Sequence, residues 1–300
     1  MTTVEALKWA NEKLKSDGSE AADSPMLDAQ ILLAAILKVS TSWLFTHFDQ
    51  DLKENQLEEF RQFVKRRINK EPVAYIIGEK EFFKRPFLVN PLVLIPRPAT
   101  EILVETALEK IDQTLGETWF ADIGTGSGAI AITLAAETSF PVIASDISPS
   151  ALSVAKKNAD KNKVEELIDF RQGDLLEPLI NAFRALQEIP EKNSCQQLII
   201  CANLPYLTPN QWQNTDRDVK DFEPKLALVA GQDGLDLYWK LIRDLKKYRS
   251  LFPKFLSLLL EIDPDQTKKI TKMVQHDFPE SVIEIRKDLE GWERVVMVEI

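Results

Sequence analysis

Over about the first 75 positions, apolar residues recur every three to four places, the spacing of helices with one buried face. Thr2 and Glu5 have the spacing of a capping box, and Val4, Leu7 and Leu14 follow on one face. Ser24-Pro25 opens a second helix, with Ser as the cap and Pro at the first helical position. The segment from Met26 to Leu37 is apolar almost all round, which predicts the central helix of a bundle. Leu57, Phe60, Val64 and Ile68 give a third amphipathic face. Opposite it run Arg61, Lys65, Arg66, Arg67 and Lys70, either a solvated helix surface or a docking patch for an acidic partner.

The period changes between Glu81 and Ile95. Phe82-Phe83, Phe87-Leu88-Val89 and Leu92-Val93-Leu94-Ile95, broken by Arg85-Pro86 and Asn90-Pro91, predict a short β-hairpin. From Pro96 onward apolar strands alternate with helices. Strands are expected at Trp119–Ile123, Val142–Asp146, Ile168–Gln172, Leu198–Ala202 and Phe255–Ile262. Helices are expected at Ala129–Glu137, Ala151–Lys161, Leu235–Lys247 and Asp265–Gln275. That alternation predicts an α/β, doubly wound parallel sheet. The last two strands, Ser281–Arg286 and Glu293–Ile300, have no helix between them and should pair antiparallel. The organisation expected is therefore a helical domain over 1–78, a hairpin linker over 79–95 and an α/β catalytic domain over 96–300.

Composition narrows the function classes. The 300 residues are 44% hydrophobic, enough for a full core, and no apolar run approaches the ~18 residues of a membrane span. The early acids and the lack of an apolar leader predict a cytoplasmic protein. A net charge of −10 argues against broad nucleic-acid binding, which draws on basic patches. Cys195 and Cys201 have neither zinc-site nor disulfide spacing, and His47 and His276 lie far from every motif. Histidine-based hydrolysis and a metal site are not expected.

The chemistry gathers after the strands. Gly124-Thr125-Gly126-Ser127-Gly128 turns a strand into a helix and lets backbone pass close to a ligand. Gly124 and Gly126 with Ala129 also fit a dinucleotide fingerprint. Asp146, after the next strand, suits two ribose hydroxyls and serves NAD or S-adenosylmethionine equally; its ordinary alternative is capping beside Ser148-Pro149. Asp174 could accept from an adenine amino group, with Leu175 against the ring, although an Asp there is more often a turn residue. Asn203-Leu204-Pro205-Tyr206 follows the fourth strand. Asn203 Oδ1 and the Leu204 carbonyl form an acceptor pair for a planar NH2 group, Pro205 stiffens the loop and Tyr206 covers the amide. An amide nitrogen is a poor nucleophile with no base at hand, so placement and oriented acceptors must do the catalysis. This points to methylation of an amide or exocyclic amine nitrogen.

With these residues in order, the chain resembles the protein-(glutamine-N5) methyltransferases of peptide-chain release factors, the HemK/PrmC type. The resemblance spans nearly the whole length. It includes Arg66-Arg67, Glu71 through Phe82, Pro96-Arg97-Pro98-Ala99-Thr100-Glu101, Phe222-Glu223-Pro224, Gly231, Asp233-Gly234-Leu235 and Glu293-Arg294-Val295-Val296. It implies a class I S-adenosylmethionine-dependent methyltransferase fold, a Rossmann-like seven-stranded sheet behind a helical bundle. It also implies a release-factor substrate, the glutamine of a Gly-Gly-Gln loop. A monomer is expected, and charge and hydropathy predict no stable binding to nucleic acid or membrane. The bundle would help to hold the release factor, giving Arg61 to Lys70 a role. Two positions depart from the family. Leu204 stands at the second position, where the family usually has the first Pro of Asn-Pro-Pro-Tyr, and Asn-Leu-Pro-Tyr is similar to the motif of ribosomal RNA adenine dimethyltransferases. Leu175 stands where an aromatic is frequent, and Pro178 to Gln197 reads as an extended loop. A ribosomal-protein glutamine methyltransferase and an adenine-N6 methyltransferase of RNA or DNA remain as alternatives.

Overall fold

The computed structural model describes residues 1–15, 24–189 and 194–300. They form two compact units, Met1–Glu79 with Asp216–Phe222, and Lys80–Thr215 with Glu223–Ile300. In the first, α1 (Thr3–Lys15), α2 (Pro25–Leu37), α3 (Thr41–Leu44), α4 (Glu54–Ile68) and α5 (Val73–Ile77) enclose one apolar core. Leu57, Phe60 and Val64 share one face of α4 and are buried with Leu32 and Leu33 of α2. Each such side chain contributes roughly 1.5–3 kcal/mol by leaving water. Ser24 occupies the cap position of α2 without a side-chain bond, so Pro25 at the first position sets that helix start.

The basic run of α4 is largely consumed within its own unit. Arg67 donates to Asp28 at 2.7 Å and to the Glu71 carbonyl. Arg66 grips Glu71 through two nitrogens, at 2.8 and 2.5 Å, and also reaches the Tyr75 and Ile76 carbonyls. Arg61 lies 3.5 Å from Glu58. These arginines staple the end of α4 to α5, so the docking-patch reading loses its two central charges.

Strands β1 (Glu79–Phe82) and β2 (Arg85–Leu88) make the hairpin. It is shorter than the alternation predicts. Asn90 takes the amides of Leu92 and Val93 in a turn, Pro91 has no amide to give, and Leu92–Ile95 runs as irregular chain. A helix not foreseen in the sequence, α6 (Glu101–Glu109), comes next.

The large sheet is built from β3 (Glu117–Ile123), β4 (Val142–Asp146), β5 (Ile168–Gln172), β6 (Cys195–Ala202), β7 (Phe255–Glu261), β8 (Val282–Lys287) and β9 (Glu293–Glu299). Its order is β5-β4-β3-β6-β7-β9-β8. The first five of these strands run parallel, and β9 lies antiparallel between β7 and β8. This is the class I methyltransferase arrangement. Helices α7 (Ala129–Thr138), α8 (Pro149–Lys161), α9 (Glu177–Glu188), α12 (Asp236–Tyr248) and α13 (Thr267–Asp277) accompany the sheet, and α10 (Pro209–Gln213) and α11 (Arg217–Phe222) break the long loop after β6. Strand β6 is buried on both faces, as its unbroken apolar run requires.

The loop expected over Pro178 to Gln197 is instead α9 and the start of β6, with residues 190–193 outside the described ones. Pro178 sits in the first turn, where a missing amide costs nothing, and Leu179, Ile180 and Phe183 are buried along the helix. Cys195 and Cys201 are free and buried, and burial pushes the Cys195 thiol up to about 12. Among the described residues no helix is long and apolar enough to cross a membrane.

Candidate active site

Strand order reverses between β3 and β6, and ligands in such sheets collect beyond the carboxyl ends of the strands at that point. Register brings the loops together. Ile123 pairs with Ser145 on one side and Ala202 on the other, so Gly124 emerges beside both Asp146 and Asn203. A cleft of about 210 Å³ opens here, walled by Gly124, Gly126, Asp146, Asp174, Leu175, Asn203, Leu204 and Pro205 among others. Four expected site residues stand outside its lining. Thr125 is buried and donates to Asp122 at 2.6 Å, and Ser127 is buried with its carbonyl turned to Asn158. Gly128 caps α7 at φ +83°, where a Cβ would meet Ile132 at 2.7 Å. Tyr206 packs against the core, and burial pushes its phenol up to about 12, so it stays neutral.

Gly124 and Gly126 have φ of +77° and +56°, and a Cβ on Gly126 would meet nothing closer than the Gly124 carbonyl at 4.0 Å. The wall there is bare backbone facing open space. Asp146 accepts from the Ser148 amide at 2.8 Å with one oxygen and from the Gly126 amide at 2.9 Å with the other. It therefore holds the turn that leads into α8, whose cap is Ser148 itself, and also ties down the glycine loop. Each oxygen keeps a further lone pair for a ligand. Burial raises its pKa against those amide donors. Asp174 pairs with Lys240. Leu175 adopts a left-handed backbone at φ +49° and is buried at the cleft wall.

In the tetrapeptide, Asn203 donates from Nδ2 to the Thr100 hydroxyl at 3.1 Å. That commitment turns Oδ1 the other way. The Leu204 carbonyl lies 3.3 Å from the Tyr238 hydroxyl, which is closer still to the Glu261 carbonyl. A phenol has one proton to give, and the nearer acceptor takes it, so the Leu204 oxygen retains accepting capacity. The Tyr206 carbonyl accepts from Gln266 at 2.9 Å. Overhead, Arg97 pairs with buried Glu223, whose second oxygen takes the Ile95 amide at 3.1 Å. This tie joins the segment carrying Leu92 and Leu94 to the one carrying Leu226, all at the cleft.

Several residues that shape the site carry no signal of that role in the sequence. Asn158, fully buried in α8, joins β2 to the glycine loop: it takes the Leu88 amide at 2.6 Å and donates to the Leu88 and Ser127 carbonyls at 3.0 and 2.8 Å. Asn158→Ala strands those backbone groups and should cost about 3 kcal/mol. In a thermal melt that is a loss of roughly 6–12 °C; an unchanged midpoint would show the loop held some other way. Glu261 had a visible signal, a lone carboxylate ending an otherwise nearly all-apolar strand. Asp122 is similar: burial pushes it up to about 7 despite its Thr125 and Ala131 donors, and Oδ1 has no partner.

Two family models and several full-length relatives match this chain. Residues 5–78 match the family model of the PrmC N-terminal domain, and residues 117–206 match that of a methyltransferase domain. The release factor glutamine methyltransferase of Bacillus cereus is 34% identical over the full length of both chains. That of Bacillus subtilis is 35% identical, covering 98% of this chain and 96% of its own. Among solved structures, the hMettl16 catalytic domain in complex with MAT2A 3'UTR hairpin 6 superposes with a TM-score of 0.54 at 14% identity, over 82% of this chain and 81% of that one, a likeness of fold alone. Sequence similarity of this extent and coverage places the protein: the chain belongs to the release factor glutamine methyltransferase family.

Proposed function

We propose that the protein methylates the side-chain amide nitrogen of the glutamine in the Gly-Gly-Gln loop of peptide-chain release factors, with S-adenosylmethionine as donor. The cofactor, when bound, supplies an electrophilic methyl group on a sulfonium. The cleft fits it: bare backbone at Gly126 admits a close ligand, Gly124 lets the chain pack against Leu204, and Asp146 keeps lone pairs for the ribose hydroxyls. Asp174 and Leu175 are placed for the adenine, with Asp174 shared by Lys240.

The observation that carries the reading is Asn203 at the cleft with its amide nitrogen bound to Thr100, a bond that leaves the amide oxygen uncommitted to that partner. With the Leu204 carbonyl, Asn203 Oδ1 holds the two N–H groups of the substrate amide, so the nitrogen lone pair points at the methyl. Positive charge that would grow on the amide nitrogen as it takes the methyl group would be stabilised by these two acceptors. One N–H proton then leaves to solvent, because an N-alkylated amide cation is a strong acid. Leu204 supplies the same backbone acceptor as the usual Pro.

The test is to offer methyl-labelled S-adenosylmethionine together with, separately, a release factor, a ribosomal protein mixture and ribosomal RNA. Label on the release factor is the expected result. Label on RNA alone would move the assignment to an adenine amino group, which presents a similar planar NH2.

A further inference from the structure

Glu261 ends β7, and the sheet register places it beside the catalytic loop: Ala202 pairs with Leu260, so Asn203 and Glu261 are the next residues on neighbouring strands. The Glu261 side chain is buried, and Oε2 has no hydrogen-bond partner. Thr100 and Asn203 both donate toward the carboxyl. A buried carboxylate without full pairing is costly, and nothing in the sheet itself calls for one here.

The three side chains form a directional chain. An ionised carboxylate accepts and cannot donate. Facing it, Thr100 must point its single hydroxyl proton toward Glu261, which leaves the Thr100 lone pairs toward Asn203. The Asn203 amide then meets an acceptor at Thr100 and a second at Glu261, and only its nitrogen can face them. A flipped amide would set Oδ1 against oxygens with no proton between them. We propose that Glu261 is the positioning residue of this site: its carboxylate, through Thr100, fixes which end of the Asn203 amide the substrate meets. The inference rests on the acceptor role given to Asn203 above.

The charged and titratable groups facing Glu261 come from several elements. Arg97, Arg294, Tyr206 and Tyr238 act on it, and Asp263 lies two residues on. The guanidiniums favour the carboxylate, but burial outweighs them and pushes Glu261 up to about 7. Below that pH the carboxyl gains a proton, can donate, and no longer dictates the direction of the Thr100 hydroxyl. Methyl transfer should therefore weaken as pH falls through about 7.

Three variants test this. Glu261→Met fills the same space without an acceptor, and replacing a buried charge by an apolar side chain of like size is often neutral or stabilising. It should lower kcat by about 10- to 100-fold, with cofactor affinity and thermal midpoint at or above those of the parent. Glu261→Gln can donate as well as accept, like the protonated carboxyl; it should hold the parent's reduced low-pH rate at every pH and lose the acid limb of the profile. Thr100→Val should lower kcat in the same direction and keeps the proposal open to refutation if the Met variant does not fold. Side-chain amide resonances of Asn203, followed by NMR against pH, should titrate in the parent and stay fixed in Glu261→Gln, whatever the substrate. A Glu261→Met enzyme with kcat within about threefold of the parent, while Asn203→Ala is inactive, would overturn the inference and leave the site reading intact. If Asn203→Ala is itself active the site reading fails, and the NMR titration still decides whether Glu261 orients that amide.

Discussion

Asn203→Ala should lower kcat for release-factor methylation by about 10²–10³-fold, the loss seen when one oriented polar group is taken from a developing charge. Cofactor affinity should change by no more than about threefold, because the proposed ribose contact is Asp146 and not Asn203. The paired control is Asp146→Ala. It removes an acceptor and also releases the Gly126 and Ser148 amides that the carboxylate holds. Hydrogen bonds to a charged group are worth about 1.5–3 kcal/mol, so the cofactor Kd should rise roughly 10- to 100-fold. Equilibrium binding and single-turnover rates on the two variants separate the roles. Near-normal turnover in Asn203→Ala would remove the acceptor pair from the mechanism, and unchanged cofactor affinity in Asp146→Ala would remove the ribose contact.

Gly234→Ala should damage the enzyme from outside the cleft lining. Gly234 has φ of +74°, and a Cβ built on it would fall 2.1 Å from the Tyr206 carbonyl oxygen. That oxygen is already held by Gln266, so neither partner has room to retreat. The tetrapeptide loop must shift, and a displacement near 1 Å at a reacting geometry costs on the order of 10²-fold in rate. Backbone strain and the broken contact together should lower stability by about 3 kcal/mol, roughly 6–12 °C of melting temperature. Gly291→Ala isolates the strain: it also has positive φ, at +88°, but a Cβ there meets nothing within 4 Å. It should cost about 1 kcal/mol and leave turnover unchanged. A Gly234→Ala protein as active and as stable as Gly291→Ala would show that the loop tolerates the displacement.

The sequence is most legible where one short stretch does one job. The glycine loop, Asp146 and Asn203 each come after a strand of distinct apolar pattern, and parallel connectivity brings the ends of such strands to one edge. Their meeting in one cleft is therefore a consequence of topology. The antiparallel closing strands are readable from the missing helix between them. Roles that depend on partners far away in the chain stay hidden. Asn158 looks like any polar residue of an amphipathic helix; its role comes from Leu88, 70 positions away. Thr100 sits in a recognisable segment, yet its contact with Asn203 spans 103 positions.

Local misreadings have local causes. Pro178 and Pro91 look alike as breakers, but one starts α9 and the other ends the hairpin. Their downstream neighbours make the difference. Leu179, Ile180 and Phe183 find a core to bury against along a helix, while Leu92 and Leu94 run without a strand partner to the rim of the cleft. Arg66 and Arg67 read as surface charge because their acceptors, Glu71, Asp28 and turned-in carbonyls, become close only once α2, α4 and α5 have packed.

The most direct test of the central claim is to locate the methyl group. A release factor and its Gly-Gly-Gln loop variant carrying Gln→Ala would each be incubated with the enzyme and S-adenosylmethionine, digested, and sequenced by tandem mass spectrometry. The account predicts one added methyl on the side chain of that glutamine and none anywhere on the variant. A methyl that persists in the variant, or that maps to another residue of the release factor, would contradict it.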